Sequence, residues 1–181
     1  TLAYSHILIG AAAALCFAHD EAERFDADAS RIVIGGESAG GNLTLGLGVA
    51  CAFARDESFA RDIARRRIVP RALMPMCALG QTTDPERFRR AGHVNPFIFD
   101  RIRVVSEGYL DGVPTRVDRT FADPLCLLES DVPTVRPFAP TFASCGLADP
   151  IVEDTRRIAR ALRARGVPVE APRSEERRVG K

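Results

Sequence analysis

The strongest constraint on the fold is the spacing of four short apolar runs along the chain. Each run is bounded by glycine, proline or charged residues, as expected for short strands. The runs cover residues 31–35, 72–77, 140–145 and 167–171. Near-continuous apolar strands of this length are typical of a parallel sheet that is covered by helices on both faces.

The segments between these runs predict helices. Residues 42–56 have helical length and lie between the first two runs. Between the last two runs, apolar or small residues recur at helical spacing: Ile151, Thr155, Ile158, Ala159 and Leu162. Gly166 fits the position just after a helix end. Strands that alternate with helices imply right-handed crossovers, so the predicted fold class is α/β with a mostly parallel sheet.

Composition limits the partners of this chain. Its 181 residues include 25 basic and 24 acidic side chains, with a net charge of +1 and no long run of either sign. This balance argues against a nucleic-acid face and against a polybasic membrane patch. The apolar run of residues 7–18 is too short to span a bilayer and predicts a buried helix. We therefore expect one globular unit whose partner is a small, roughly neutral molecule, with no nucleic acid and no membrane.

The cysteines are odd in number and widely spaced: Cys16, Cys51, Cys77, Cys126 and Cys145. None belongs to a CxxC pair or to a His-rich spacing that is typical of zinc sites. They are interpreted as buried thiols in a reducing compartment, which predicts a cytoplasmic location. No metal and no organic cofactor is expected.

Ser38 is the candidate nucleophile, within the segment Gly36-Glu37-Ser38-Ala39-Gly40. A serine hydroxyl attacks only when it is exposed, next to a base and beside donors for the oxyanion. Glycines two residues before and after the serine permit a tight strand-to-helix turn, and the Ala39 N–H is then one oxyanion donor. The G-x-S-x-G pattern by itself is weak evidence for a catalytic serine. The alternative interpretation is a glycine-rich turn around a buried serine.

Residues 80–123 interrupt the alternation of strands and helices. The stretch is first polar and rich in arginine, and it then offers Asn95 as a helix N-cap with Pro96 at the first helical position. Insertions at the carboxyl ends of strands in an α/β sheet lie over the ligand crevice. A lid or substrate wall is therefore one interpretation, and a plain surface helix is the other.

The stretch "SRIVIGGESAGGNL" resembles the nucleophile region of the hormone-sensitive-lipase-like (bacterial family IV) carboxylesterases, which have the α/β-hydrolase fold. Residues 122–170 are similar to the acid-bearing part of the same family, and the resemblance covers most of residues 12–172. It implies that Ser38 is the nucleophile and Asp149 the triad acid, in the chain order of this fold. Because Pro150 follows Asp149, capping of the next helix is the alternative role of this carboxylate.

The resemblance also implies a catalytic histidine, which none of the three histidines of the chain fits. His6 and His19 precede the nucleophile, and His93 lies in the interrupting stretch. In the family, the base follows the strand that corresponds to residues 167–171, and an HGGG-type oxyanion loop lies upstream of residue 1. We therefore expect that the sequence is truncated at both ends and that the isolated polypeptide is inactive and prone to aggregation.

The last nine residues, "RSEERRVGK", differ in composition from the preceding residues and contain the only lysine of the sequence, Lys181. They resemble a translated sequencing-library adapter, and a charged native tail is the alternative. Residues 173–181 are accordingly expected to be non-native. The remaining residues 1–172 are interpreted as a partial α/β-hydrolase domain with a cap-like excursion at 80–123.

The resemblance implies a serine carboxylesterase that hydrolyses short- to medium-chain esters through an acyl-enzyme intermediate. Relatives of this kind commonly form homodimers. A non-catalytic ligand-binding protein on the same scaffold is the alternative, because function belongs to the site and not to the fold. A lipase would be expected to carry a more apolar lid than residues 80–120.

Sequencing of the parent gene on both sides of this chain tests these expectations. A histidine in the loop after residues 167–171, together with an upstream HGG loop, would complete the triad and the oxyanion hole. Another residue in place of that histidine would leave Ser38 without its base and favour the ligand-binding protein.

Overall fold

The computed structural model describes residues 4–92, 94–112 and 119–174. Within these residues the α-helices are α1 (Tyr4–Asp20), α2 (Ala39–Ala52), α3 (Ser58–Arg66), α4 (Glu86–Arg90), α5 (Pro96–Leu110), α6 (Pro124–Glu129) and α7 (Val152–Ala164). The strands are β1 (Val33–Glu37), β2 (Ala72–Met76), β3 (Thr141–Phe142), β4 (Cys145–Gly146), β5 (Val169–Glu170) and β6 (Arg173–Ser174). Two short 3₁₀ turns, Ala22–Phe25 and Ala29–Arg31, connect α1 to β1.

The described strands form a parallel sheet in the order β1-β2-β3-β5. The register of β1 on β2 places Val33 opposite Ala72 and Glu37 opposite Met76. A separate ladder pairs β4 with β6. The predicted α/β class with a parallel sheet is therefore confirmed, and helices lie between the strands that succeed one another in the order β1-β2-β3-β5.

The helices of the described chain cover one face of this sheet, whereas the sequence predicted cover on both faces. Leu73 is fully buried on the covered face, but Val33 and Met74 on the opposite face are 50% and 36% exposed. The strand order moves in one direction from β1 to β5. Right-handed crossovers that all progress in the same direction place their helices on the same side, which explains the one-sided cover.

Helix α2 lies at the centre of the covered face. It contacts β1, β2, α1, α3 and α6, and nearly all of its residues from Gly41 to Ala52 are buried. Side chains of α1, α3, α6 and α7 join the same apolar core. A helix that is apolar on all sides is stable only when it is enclosed in this way, so α2 fixes the turn that precedes it.

Several predicted boundaries move when the structure is compared with the sequence. The predicted helix over residues 42–56 is α2, which starts earlier and ends at Ala52, and α3 was not predicted. The apolar run at residues 140–145 divides into β3 and β4. A separate bridge between Met76 and Ser144 continues the contact with β2 across this break. Helix α1 covers the predicted residues 7–18, but it is not the buried helix that was expected, because only one stripe of it is buried and Ile7, Ile9 and Phe17 are exposed. No helix in the described ranges has both the length and the apolar character to cross a bilayer.

Predicted helix ends agree with the structure at two places. The Asn95 side chain accepts a hydrogen bond from the Phe97 N–H at 2.8 Å, with Pro96 as the first residue of α5. Gly166 follows α7 with φ of +72°, a left-handed conformation that favours glycine. The start of α5 and the end of α7 could therefore be predicted from their local sequences.

Truncation of Leu73 tests the location of the core. Leu73 is fully buried on β2, and the neighbouring Met74 points to the exposed face. We expect Leu73→Ala to lower the free energy of unfolding by about 2–5 kcal/mol, because the substitution leaves a cavity. The matched change Met74→Ala should lower it by about 1 kcal/mol or less. Urea denaturation followed by circular dichroism measures both, and equal losses would contradict the proposed faces.

Candidate active site

Ser38 occupies a strained turn between β1 and α2. Its φ of 54° and ψ of −113° lie outside the conformations that residues with a side chain ordinarily adopt. The Ser38 N–H donates to the Met76 carbonyl oxygen at 2.9 Å, and the Ser38 carbonyl accepts the Asn42 N–H at 3.1 Å. The residue is exposed, in contrast to the buried serine of the alternative interpretation. The strand and helix on either side hold the conformation, so the hydroxyl is presented to solvent.

The two glycines that flank Ser38 have different roles. A Cβ atom at Gly36 would lie 2.4 Å from the Gly40 carbonyl oxygen, so the backbone approach excludes any side chain there. At Gly40 an added Cβ atom would meet nothing within 4 Å. A Cβ at Gly41 would lie 2.7 Å from the Ala78 Cβ. The sequence predicted that the glycines on both sides of Ser38 permit the turn, but only Gly36 is required by contact.

Ala39 begins helix α2 directly after Ser38. Backbone N–H groups in the first turn of a helix have no acceptor within that helix. The helix dipole adds partial positive charge at the same end. These features fit an oxyanion donor at Ala39, the role that the sequence suggested.

Asp149 lies in the loop between β4 and α7. Its Oδ1 atom accepts the Ile151 N–H at 2.9 Å, and its own N–H donates to the Gly146 carbonyl at 3.1 Å. Helix α7 starts at Val152, so Asp149 caps the turn that precedes the helix rather than the helix itself. These bonds fix the carboxylate in place, which serves a triad acid as well as a capping residue.

Ser38 and Asp149, which are 111 positions apart in the sequence, line the same cleft. The cleft has a volume of about 360 Å³. Its other lining residues come from the ends of β1 and β2, from α5 and from the loop before α7: Glu37, Cys77, Leu79, Arg101, Ile102, Val105, Pro150 and Ile151. The fold thus brings the two predicted catalytic side chains to one opening at the carboxyl ends of the strands.

The imidazole of the expected triad is not found beside Ser38 among the described residues. His6 lies on α1, and the His19 ring is paired with Asp20 at 3.1 Å. Neither lines the cleft. His93, the remaining histidine, lies outside the described residues.

Two cysteines lie close to Asp149 beside the cleft, a feature that the sequence reasoning missed. Cys77 follows β2 with φ of 43°, and Cys145 begins β4. Their sulfur atoms and a carboxylate oxygen of Asp149 all lie within 4.8 Å of one another. Burial, the hydrogen bond with Cys77 and the charge of Asp149 raise the pKa of Cys145 to about 12, so it is a neutral thiol at pH 7. Both cysteines end predicted strands, but the sequence did not show that these two strands are neighbours in the sheet.

A buried amide ties helix α2 to the cleft wall. Asn42, one turn after Ser38, donates through Nδ2 to the carbonyl oxygens of Leu79 at 2.8 Å and Ala122 at 3.1 Å. Its Oδ1 atom accepts the Tyr109 hydroxyl at 3.1 Å. Because a buried amide is costly unless it is bonded, this network fixes α5 relative to α2.

A buried ion pair makes a second connection, between α4 and α7. The Asp154 side chain is 1% exposed, and it accepts the Gly80 N–H at 2.9 Å and the Arg87 Nη2 at 2.6 Å. Burial raises the pKa of Asp154, and the charge and hydrogen bond of Arg87 oppose that shift. The pair anchors the stretch that leaves β2 to the helix that follows Asp149.

A family profile described as "alpha/beta hydrolase fold" matches residues 4–178. No curated protein sequence matches the chain. Among solved structures, an esterase from the bacterial hormone-sensitive lipase (HSL) family is similar with a TM-score of 0.61 and 23% identity, covering 88% of this chain and 48% of that one. Esterase LipW from Mycobacterium marinum is similar with a TM-score of 0.66 and 20% identity, covering 87% of this chain and 44% of that one. The Pyrobaculum calidifontis esterase is similar with a TM-score of 0.63 and 18% identity, covering 91% of this chain and 50% of that one. The chain spans about half the length of these structures, and at these identities the likeness shows the fold.

Paired glycine substitutions test the architecture of the turn. We expect Gly36→Ala to lower the free energy of unfolding by about 1–3 kcal/mol or more, because its methyl group overlaps the Gly40 backbone. Gly40→Ala should leave stability within about 1 kcal/mol of the original chain, on the stabilising side, because alanine favours the helix. Urea denaturation of the two variants provides the comparison. Equal destabilisation by both changes would show that the turn is built differently.

Proposed function

The chain belongs to the alpha/beta hydrolase fold family, and from this membership and the Ser38 cleft we propose that it carries the nucleophile and the acid of a serine carboxylesterase. The observation that carries the proposal is the convergence of an exposed serine, held at a positive φ between strand and helix, with Asp149 in one cleft. This turn is the geometry that a nucleophile elbow requires.

In the proposed reaction, the Ser38 Oγ attacks the ester carbonyl carbon while a histidine takes the hydroxyl proton. The oxyanion that forms accepts a hydrogen bond from the Ala39 N–H. The histidine then donates the proton to the leaving alcohol, which leaves an acyl group on Ser38. Water hydrolyses this acyl-enzyme by the same route, and Asp149 orients the histidine and stabilises its charged form.

Neither His6 nor His19 lines the cleft, and His93 precedes Asp149, which does not fit the Ser–Asp–His chain order of this fold. Without an imidazole, a serine hydroxyl at neutral pH is a poor nucleophile. We therefore propose that the polypeptide of residues 1–181 alone does not turn over ester. The same observation favours the second candidate function, a ligand-binding protein that uses the cleft without catalysis.

The cleft supports a small ester as the substrate. Its volume of about 360 Å³ is near the lower end of the roughly 300–1,000 Å³ range of ligand pockets. Leu79, Ile102 and Val105 supply apolar walls for a short or medium acyl chain. Arg101, at 57% side-chain exposure, brings charge to the same wall, which is less suited to the long chains of a lipase substrate. We propose that residues 80–123 act as the cap, with α5 as its wall.

Chemical rescue with imidazole tests the nucleophile. Without imidazole, we expect the original chain and Ser38→Ala to release p-nitrophenol from p-nitrophenyl acetate at the same background rate. With imidazole, the original chain should become acetylated on Ser38, because the small base enters the cleft and takes the serine proton. General-base catalysis contributes about 10²–10⁴-fold, and a free base recovers part of this factor. Mass spectrometry of the proteolytic peptides locates the acetyl group.

Ser30→Ala is the matched control, because Ser30 is a serine that precedes β1 and is bonded to Asp28 away from the cleft. This variant should be acetylated like the original chain, whereas Asp149→Asn should be acetylated more slowly. Acetylation that persists in Ser38→Ala would refute the nucleophile. Binding of the ester to the original chain without acetylation would favour the ligand-binding protein.

A further inference from the structure

Cys77, Cys145 and Asp149 form a cluster that the proposed hydrolysis uses only in part. Parallel strands place the two cysteines together, because the Cys77 N–H donates to the Ser144 carbonyl oxygen at 2.8 Å. Asp149 returns to the same point through the short loop after β4. The three ligand atoms lie within 4.8 Å of one another.

We propose that this cluster is a binding site for a zinc-type divalent cation, held by the two cysteine sulfurs and the Asp149 carboxylate. Zinc accepts thiolate and carboxylate ligands with bonds of about 2.0–2.3 Å, which places tetrahedral ligand atoms roughly 3.3–3.8 Å apart. Contraction of the cluster by roughly 1 Å would bring the three ligand atoms to this spacing. The proposal departs from the absence of metal that the sequence spacing of the cysteines predicted.

The position of the cluster allows a cation to enter. Cys77 and Asp149 line the open cleft, while Cys145 is 5% exposed and is not part of the cleft lining. Three protein ligands leave the fourth position to a water molecule on the cleft side. Coordination displaces the thiol protons to solvent, since the thiolate is the form that binds metal. A site made of oxygen ligands alone would also suit magnesium. The two sulfur ligands of this cluster favour zinc and other thiol-binding cations instead.

The site rests on the cluster geometry and goes beyond the proposed function. One consequence does rest on that function. A cation that occupies the Asp149 carboxylate competes with the histidine for the same oxygen atoms. Metal binding and triad assembly would then exclude each other, so that the cation inhibits hydrolysis.

The test is a titration of the reduced chain with Co²⁺, which replaces zinc and absorbs light when sulfur is bound. We expect one Co²⁺ per chain, with a thiolate-to-metal charge-transfer band that one equivalent of Zn²⁺ removes. Cys77→Ser and Asp149→Asn should each weaken binding by about 100-fold or more, because loss of even an outer-shell partner costs about 10–100-fold. Cys126→Ser is the matched control, since Cys126 is equally half-buried but lies on α6, and it should bind like the original chain.

A second measurement uses the unaltered chain and so does not depend on folding of the variants. Zn²⁺ should protect Cys77 from alkylation by iodoacetamide and leave the rate at Cys126 unchanged, as read by mass spectrometry. No ester enters either assay, so the outcome is separate from that of the proposed hydrolysis. Absence of the charge-transfer band, a band that survives Cys77→Ser, or equal protection of Cys77 and Cys126 would each overturn the site.

Discussion

The backbone of Gly36 approaches that of Gly40 so closely that no side chain fits between them, and the site depends on this contact. It brings the end of β1 against the first turn of α2 and forces the residue between them into a positive φ. Ser38 keeps that conformation because β2 accepts its N–H at Met76 and α2 uses its carbonyl. The strain is therefore held by elements that cannot relax separately, since α2 is enclosed by the core.

The strand order of the sheet explains the positions of the helices, of the candidate site and of the exposed sheet face. Each parallel strand from β1 to β5 is added on the same side of its predecessor, so right-handed crossovers stack the helices on one face. The carboxyl ends of the strands then meet at one edge, where Ser38, Cys77 and the Asp149 loop converge. The opposite face, with Val33 and Met74, remains exposed in the described chain. The site and the uncovered face are thus two results of one topology.

Much of this architecture could be predicted from the sequence because its causes are local. The apolar run before Ser38, the Asn95 cap and Gly166 each act within a few residues, and each is found where it was expected. Helix α3 was missed because it is short and its apolar face consists only of Phe59, Ala60 and Ile63 among charged residues. The meeting of Cys77 with Cys145 was missed for another reason. Their proximity follows from the strand order, which spacing along the chain does not encode.

Asp149 is where the two proposed uses of the cleft meet. Its Oδ1 atom is fixed by the Ile151 N–H, and the neighbouring Cys145 remains a neutral thiol because burial and this carboxylate both disfavour a second negative charge. Asp149 therefore carries the negative charge of this cluster, and a cation placed against it is stabilised. A histidine that becomes charged during ester hydrolysis meets this condition, and so does a divalent metal held by the two sulfurs. The Asp149 carboxylate supports both, whereas the metal must in addition displace the protons of the two thiols, and the ligand that reaches the carboxylate decides between them.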